Sequence, residues 1–236
     1  MTTSPPPPAA QPPLSGPVED YLKAIYDLER GEQPATTNDI AERLAISPAS
    51  VSGMVRRLAD QGLITHEPYR GVRLTEDGRR AALRTLRRHR ILECYLTEVL
   101  GYPWDRVHDE AEQLEHAASE ELIERMADAL GDPVRDPHGA PIPSREGVIE
   151  AFASRRLGDA VPGERVRVRE VMDDDAERLR YLAELGIRPG AVVRILDRAP
   201  FDGPITLWVG DAAGGVARAV GPALAAQVFV ESLGAE

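Results

Sequence analysis

The stretch TTNDIAERLAISPASVSGMVRRLADQG, residues 36–62, decides the fold of the first part of the chain. Thr36 is a candidate helix cap, and an acidic residue three positions later is suited to complete a capping box. Ser47 is a second candidate helix cap. Pro48 follows it, and proline is favoured at the first position of a helix. Gly62 is a typical helix stop. The stretch therefore predicts a short helix, a tight turn and a second helix.

The flanking sequence predicts the remaining parts of a winged helix-turn-helix. VEDYLKAIYDLER at 18–30 has the apolar spacing of a helix. LITHEPYRGVRLT at 63–75 contains two strand-like runs around a Pro/Gly turn. A long, Arg-rich helix follows from about 75 to 100. In such a fold the second helix of the helix-turn-helix enters the major groove of DNA.

The predicted DNA contacts combine small side chains at the start of that helix with arginines that reach phosphates. They are Ser47, Pro48, Ala49, Ser50, Ser52, Arg56, Arg57, Arg70 and Arg73. A winged helix that is used only for contacts with other proteins is the alternative at this point.

The distribution of charge is compatible with DNA binding. The whole chain has 28 Lys/Arg, 39 Asp/Glu and a net charge of -11, which argues at first against nucleic acid as a partner. Residues 56–90, however, hold 10 Lys/Arg and 4 Asp/Glu. An acidic chain with one basic segment can bind DNA through that segment.

A second pattern, HDEAEQLEH, suggests a metal site. If it lies on one helix from 105 to 130, His108, Glu112, Glu115 and His116 fall within an arc of roughly 100°. Ordinary Glu–His pairs on a solvated helix are the alternative.

The preceding helix carries two similar residues, His89 and Glu93, spaced one helical turn apart. An antiparallel hairpin of the two helices would bring both sets of side chains together. Imidazole and carboxylate groups without a thiolate suit a divalent ion such as Mn²⁺ or Fe²⁺. The two helices together favour the metal site over solvated pairs.

Short strands and Gly/Pro turns are typical of the chain from Glu164 onwards. RVRVREV alternates as a strand, and RPGAVVRIL and FDGPITLWVG indicate further strands. This pattern predicts a compact SH3-like barrel. The segment 144–160 between the helices and the barrel indicates a short helix that leads into a linker.

Other features exclude several classes of protein. The single cysteine, Cys94, rules out an internal disulfide framework. The N-terminal MTTSPPPPAAQPPLSGP lacks the features of a signal peptide. No apolar run approaches the ~18 residues of a membrane span, so we expect a cytoplasmic protein without a membrane partner. The chain has no nucleophile motif and no phosphate-binding Gly loop, so we expect no enzyme activity.

These patterns predict a mainly α protein with a small β content, divided into four segments. We expect a disordered Pro-rich arm over 1–16 and a winged helix-turn-helix domain over 17–86. A helical metal-binding and dimerisation domain is predicted over 87–157, and an SH3-like domain over 158–236.

The order of these motifs resembles that of the DtxR/MntR family of metal-dependent transcriptional repressors. The resemblance runs from about Val18 to Val230 and rests on VEDYLKAIYDLE, DIAERLAISPASVSGMVRRLADQGLI, RRHRILE, VHDEAEQLEHAASEE and PHGAPIP. LAELGIRPGAVVRIL and GPITLWVG are similar to the FeoA-type, SH3-like domain of the longer members. The resemblance implies a homodimer that binds double-stranded operator DNA when loaded with metal and represses metal-uptake genes.

The resemblance also implies two metal sites. The primary site takes Asp20, Glu112, Glu115 and His116, and the ancillary site takes His89, Glu93 and His108. Longer members add ligands from the third domain, and the matching positions here are near Asp175 and Arg178. Asp175 can coordinate a metal, whereas an arginine has no lone pair to offer. Asp173 or Asp174 is the alternative.

Two departures from the family pattern bear on the metal. Iron-type members carry Met and Cys where this chain has Asp20 and Glu112, which indicates the manganese-type branch. Manganese-type members often have a Glu where this chain has Lys23. The expected cofactor is Mn²⁺ or Fe²⁺, and Zn²⁺, Co²⁺ or Cd²⁺ are expected to bind in vitro. A metalloenzyme with a His/Glu di-metal site is the main alternative function.

Overall fold

Two compact units, residues 1–85 and 86–236, make up the chain in a computed structural model. The structure describes residues 14–29, 33–67, 70–149, 155–172, 175–211 and 214–234. Most of the predicted arm lies outside these residues, and so do Asp173 and Asp174. None of the helices within the described ranges has the length and apolar character that a membrane span requires.

The first unit is a winged helix-turn-helix, as predicted. Its elements are α1 (Gly16–Glu29), α2 (Thr37–Arg43), α3 (Pro48–Asp60), β1 (Ile64–Glu67), β2 (Gly71–Leu74) and the start of α4 (Glu76–Glu98). Thr36 caps α2 in a capping box with Asp39, and Ser47 caps α3 through the backbone N–H of Ser50. The antiparallel pair of β1 and β2 forms the wing. The last residue of the predicted arm, Gly16, is already helical.

The core of the first unit determines which face of α3 is exposed. Val51, Val55 and Leu58 of α3 are buried against residues such as Leu22 and Ile40. The opposite face of α3 is therefore left to solvent. All nine of the predicted DNA contacts, on α3 and on the wing, are exposed in the structure.

The helical part of the second unit corrects one prediction. The predicted helix over 105–130 is two helices, α5 (Val107–Leu114) and α6 (Glu120–Ala129). Ser119 is the reason for the second start, because its side chain accepts a hydrogen bond from the N–H of Leu122 as the cap of α6. Serine is favoured at the N-terminus of a helix, where its side chain accepts a hydrogen bond from a backbone N–H group. It is less favourable in the interior of a helix.

The β part of the second unit is one antiparallel sheet with the strand order β3-β8-β4-β5-β6-β7. Its elements are β3 (Arg155–Arg156), β4 (Arg165–Val171), α7 (Ala176–Glu184), β5 (Val192–Arg198), β6 (Ile205–Asp211), β7 (Gly214–Val220), α8 (Pro222–Ala225) and β8 (Val228–Ser232). Buried Val166, Val168, Val193, Ile195 and Leu207 form the core on one face of the sheet. This architecture confirms the predicted SH3-like fold class.

The short helix that the sequence indicates over 144–160 does not form in the described residues of that segment. Residues 144–149 form a turn, a bend and irregular backbone, and Leu157–Asp159 form a single 3₁₀ turn after β3. Gly147 adopts a φ of +76°, a conformation that ends rather than continues a helix. Where a linker was expected, Arg155 and Arg156 form β3, which pairs with β8.

Close packing around Gly78 makes the first unit sensitive to one methyl group. A Cβ at Gly78, in the first turn of α4, would lie 1.9 Å from the backbone oxygen of Leu63. We expect Gly78→Ala to lower the free energy of unfolding by about 1–3 kcal/mol, the usual cost of overpacking. The matched control is Gly53→Ala on α3, where no atom lies within 4 Å. Urea denaturation followed by far-UV circular dichroism measures both. Equal midpoints for the two variants would contradict the packing of α4.

Candidate metal centre

A fully buried carboxylate, that of Glu93 on α4, lies at the centre of the candidate site. Three imidazoles face its Oε1 atom. The distances are 3.1 Å to Nε2 of His89, 3.4 Å to Nδ1 of His108 and 3.8 Å to Nδ1 of His138. A buried charge without such partners is strongly destabilising. The arrangement therefore brings nitrogen donors close to one anionic oxygen, and these are donor types that divalent cations bind.

Two helices position the predicted ancillary ligands. His89 and Glu93 lie one turn apart on α4, and His108 lies at the start of α5. The rings of His89 and His108 meet edge to face, with centroids 4.8 Å apart and Nε2 3.1 Å from Nδ1. The structure thus brings all three residues together, with one donor atom of each within 4.8 Å of the others.

Opposing effects set the protonation state of Glu93. Burial raises the pKa of this carboxyl, but the charge of His89 and hydrogen bonds from His108, His138 and His89 lower it by more. The pKa of Glu93 therefore lies well below its ordinary value. The side chain is an anionic oxygen donor at neutral pH.

His89 also contacts a second group of carboxylates. Its Nδ1 lies 2.7 Å from Oε2 of the fully buried Glu115 and 3.8 Å from Oε1 of the half-exposed Glu112. Nε2 of His116 lies 3.6 Å from Oε1 of Glu115. Three of the four predicted primary ligands are thus neighbours in the second unit. Glu115 and His116 follow the last residue of α5, Leu114, so their positions depend on the turn after it.

The two other predicted ligands, Asp20 and Asp175, lie on α1 and at the start of α7. Asp20 is half-buried in the first unit. Asp175 caps α7, where its Oδ1 accepts hydrogen bonds from the N–H groups of Glu177 and Arg178. Its Oδ2 lies 3.1 Å from Nε of Arg178. The cap hydrogen bonds explain the position of Asp175 without a metal, and its role as a ligand stays a prediction.

One buried histidine of the cluster, His138, is not among the ligands predicted from the sequence. Its Nε2 lies 2.7 Å from the carbonyl oxygen of Trp104, so this nitrogen carries the proton. In the charged ring Nδ1 donates a hydrogen bond to Glu93, and in the neutral ring that a bound metal requires Nδ1 is the unprotonated nitrogen. A carbonyl that fixes the tautomer of a histidine in this way is typical of metal ligands.

Asp136 lies next to this histidine and fixes the turn that carries it. Its Oδ1 accepts hydrogen bonds from the N–H groups of His138 and Ala140, and its Oδ2 lies 3.3 Å from Nε of Arg90 on α4. Glu93, Asp136 and His138 form a further group of converging donor atoms. The spacing of Asp136 and His138, two residues apart in a Pro/Gly-rich loop, was the signal available in the sequence.

The chain matches three family descriptions over most of its length. Residues 13–72 match the iron dependent repressor, N-terminal DNA binding domain. Residues 75–144 match the iron dependent repressor, metal binding and dimerisation domain, and residues 155–232 match the FeoA domain.

Individual relatives cover most of the chain as well. The diphtheria toxin repressor of Corynebacterium efficiens is 36% identical over 189 residues, which are 76% of this chain and 82% of that protein. The iron-dependent repressor IdeR of Mycobacterium tuberculosis is 34% identical over 192 residues, 75% of this chain and 82% of that protein. A solved manganese-dependent transcriptional repressor in complex with manganese is 41% identical and has a TM-score of 0.85. The comparison covers 92% of this chain and 100% of that chain.

Glu93 offers a direct test of the centre. We expect Glu93→Gln to bind one Mn²⁺ fewer per chain than the unaltered protein, because the amide removes the negative charge that the imidazoles surround. Equilibrium dialysis against micromolar Mn²⁺ measures the number of bound ions. Glu121→Gln, on the exposed face of α6, is the matched control and should bind as many ions as the unaltered chain. An unchanged number in Glu93→Gln would show that this carboxylate holds no metal.

Proposed function

The chain belongs to the iron dependent repressor family, and on this premise we propose that it represses transcription as a metal-loaded dimer on operator DNA. The observation that supports this most strongly is the convergence of three histidines on buried Glu93. Nitrogen and oxygen donors without a thiolate suit Mn²⁺ or Fe²⁺. A bound divalent ion would supply the positive charge that holds these carboxylates and imidazoles together.

We assign the ligands to two sites, in line with the family resemblance. The proposed primary site is Asp20, Glu112, Glu115 and His116, and the proposed ancillary site is His89, Glu93 and His108. His138 is a further candidate for the ancillary site, because its Nδ1 faces the same oxygen of Glu93 as the other two imidazoles. Asp175 remains the candidate from the third domain.

The proposed sites are linked through the imidazole of His89. One ring nitrogen of His89 faces Glu93, and the other lies within hydrogen-bonding distance of Glu115. If Nε2 of His89 coordinates an ion, Nδ1 carries the proton and donates a hydrogen bond to Glu115. His89 then holds a primary ligand in place while it serves the ancillary site, as paired carboxylate–histidine ligands do.

The chemistry of the donors favours Mn²⁺ and Fe²⁺ over softer ions. Cys94 is the one thiol of the chain. It is buried, and its Sγ donates to the carbonyl oxygen of Arg135 at 3.4 Å. Burial, together with the nearby charges of Asp136 and Glu93, raises the pKa of this thiol, so it stays protonated. Oxygen ligands at Asp20 and Glu112 then select for harder ions.

The exposed face of α3 is the proposed DNA-reading surface. Ser47, Ala49, Ser50 and Ser52 would allow close approach to the groove, while the arginines of α3 and the wing would contact phosphates. A symmetric dimer presents two such helices to major grooves about 34 Å apart. Because the proposed target is operator DNA, we propose a cytoplasmic location.

Operator binding should depend on both metal and salt. We expect Mn²⁺ to increase operator affinity, and we expect the affinity to fall by orders of magnitude between about 50 and 200 mM salt, because arginine–phosphate contacts release counterions. Fluorescence anisotropy of labelled operator fragments measures both effects. The control is the same titration with chelator present. Equal binding with and without chelator, or no salt dependence, would contradict the proposal.

The buried carboxylate of Glu115 tests the primary site. Glu115→Gln keeps the size of the side chain and a hydrogen-bond acceptor for His89, but it removes the charge that attracts a cation. We expect this variant to lose the Mn²⁺-induced gain in operator affinity while its circular dichroism spectrum and dimer mass stay unchanged. Glu110→Gln on α5 is the matched control and should respond normally. A full Mn²⁺ response in Glu115→Gln would rule out the assigned primary site.

A further inference from the structure

The connection between α4 and α5, residues 99–106, contains one buried residue, Trp104. Other apolar side chains of this connection, such as Val99 and Leu100, are exposed. The indole of Trp104 belongs to the apolar core of the β part, in the same cluster of buried side chains as Leu182 of α7. A residue that joins two helices of the metal-binding part is therefore anchored in the core of the following part.

Two arginines of the β part hold this connection at successive residues. The guanidinium carbon of Arg188, in the turn between α7 and β5, lies 4.8 Å from the centroid of the Trp104 ring. Nη1 of Arg180 on α7 lies 3.1 Å from Oδ2 of Asp105, whose side chain is only 12% exposed. An arginine over an indole is attracted by the electrons of the ring, and a half-shielded salt bridge is screened less than an exposed one. The position of Trp104 is thus fixed from the β part.

Trp104 contacts the imidazole of His138 in two ways. The two rings stack, with centroids 5.6 Å apart and an angle of 29° between their planes. The backbone carbonyl oxygen of Trp104 also accepts a hydrogen bond from Nε2 of His138 at 2.7 Å. The stack limits the plane of the imidazole, and the hydrogen bond keeps a proton on Nε2. Nδ1, which lies 3.8 Å from Oε1 of Glu93, is then the nitrogen that a neutral ring offers to a metal.

The orientation of this imidazole is separate from the position of its backbone. Asp136 accepts hydrogen bonds from the N–H groups of His138 and Ala140, and these bonds fix the loop. They leave the two side-chain torsions of His138 to be set by groups around the ring. Rotation of the ring by 180° would turn a carbon atom towards the carbonyl of Trp104 and lose that hydrogen bond. Trp104 therefore favours the orientation in which Nδ1 faces Glu93.

We propose that Trp104 is a positioning residue of the metal centre, which holds the ring of His138 so that Nδ1 can bind Mn²⁺ beside Glu93. The proposal rests on the proposed metal-dependent function and adds a residue that binds no metal itself. Groups that orient a ligating histidine typically contribute about 10–100-fold to metal affinity. Because the indole lies in the core of the FeoA-type part, the position of that part then affects the affinity of the centre.

Isothermal titration calorimetry of the full chain with Mn²⁺ tests the proposal, and the relevant site is the one that Glu93→Gln lacks. We expect Trp104→Leu to lower the Mn²⁺ affinity of this site about tenfold, since the stack that orients His138 is lost. Trp104→Phe keeps an aromatic ring there and should restore most of the affinity. The matched control is Trp208→Leu on β6, the other tryptophan of the chain, which should bind Mn²⁺ normally. Unchanged affinity in Trp104→Leu, or an equal loss in Trp208→Leu, would overturn the proposal.

A second variant separates an effect on His138 from a general effect on the fold. His138→Gln keeps a hydrogen-bond donor but has no ring nitrogen to bind a metal. In this background Trp104→Leu should cause no further loss of Mn²⁺ affinity, because the ligand that it positions is already absent. A further tenfold loss would show that Trp104 acts by another route and would overturn the proposal. Circular dichroism of each variant checks that the secondary structure is retained.

Nuclear magnetic resonance of the metal-free chain tests the contact without any metal. The Nε2–H proton of His138 should exchange slowly with water in the unaltered chain and faster in Trp104→Leu, whether the ring is charged or neutral. Equal exchange in both would overturn the positioning role. If the unaltered chain binds no Mn²⁺, the proposed function fails, and this exchange rate alone then decides whether Trp104 holds the ring.

Discussion

The second unit depends on the burial of two carboxylates, Glu93 and Glu115, neither of which is exposed to solvent. Each such charge would cost several kcal/mol, about the scale of a domain's whole stability, if the protein supplied no partners. His89 lies between the two carboxylates, with Nε2 facing Glu93 and Nδ1 facing Glu115. The packing of α5 against α4 is therefore determined by electrostatics as well as by apolar contacts. The imidazoles that offset these two buried charges form, together with the carboxylates, a group of donor atoms that suits a divalent cation.

The loop of residues 135–143 connects this centre to the β-sheet. Its His138 faces Glu93 through the side chain and accepts a hydrogen bond from the N–H of Val171 on β4 through its carbonyl oxygen. A Cβ at the next residue, Gly139, would lie 1.9 Å from the carbonyl oxygen of Arg169. The loop and β4 therefore pack without space for a side chain. The FeoA-type part therefore contributes to the candidate metal centre by holding this loop in place through β4. This contribution does not depend on Asp175 being a ligand.

Local signals explain why much of the fold could be predicted from the sequence. Thr36 and Ser47 cap helices through bonds to residues three positions away, and His89 and Glu93 share a face because of helical periodicity. The break after Leu114 was not predicted, because the apolar pattern continues through it, although Ser119 is a local cap signal of the same kind as Ser47. The approach of His138 to Glu93 could not be predicted, since it depends on two segments 45 residues apart in sequence.

A binding site for a divalent ion at Glu93 is the central claim about this molecule. Anomalous diffraction at the manganese absorption edge, from crystals of the full chain grown with Mn²⁺, tests it most directly. We expect an anomalous peak within coordination distance of Glu93 and of nitrogen atoms of His89 and His108. Diffraction maps that show ordered side chains at these residues but no anomalous peak among them would contradict the claim.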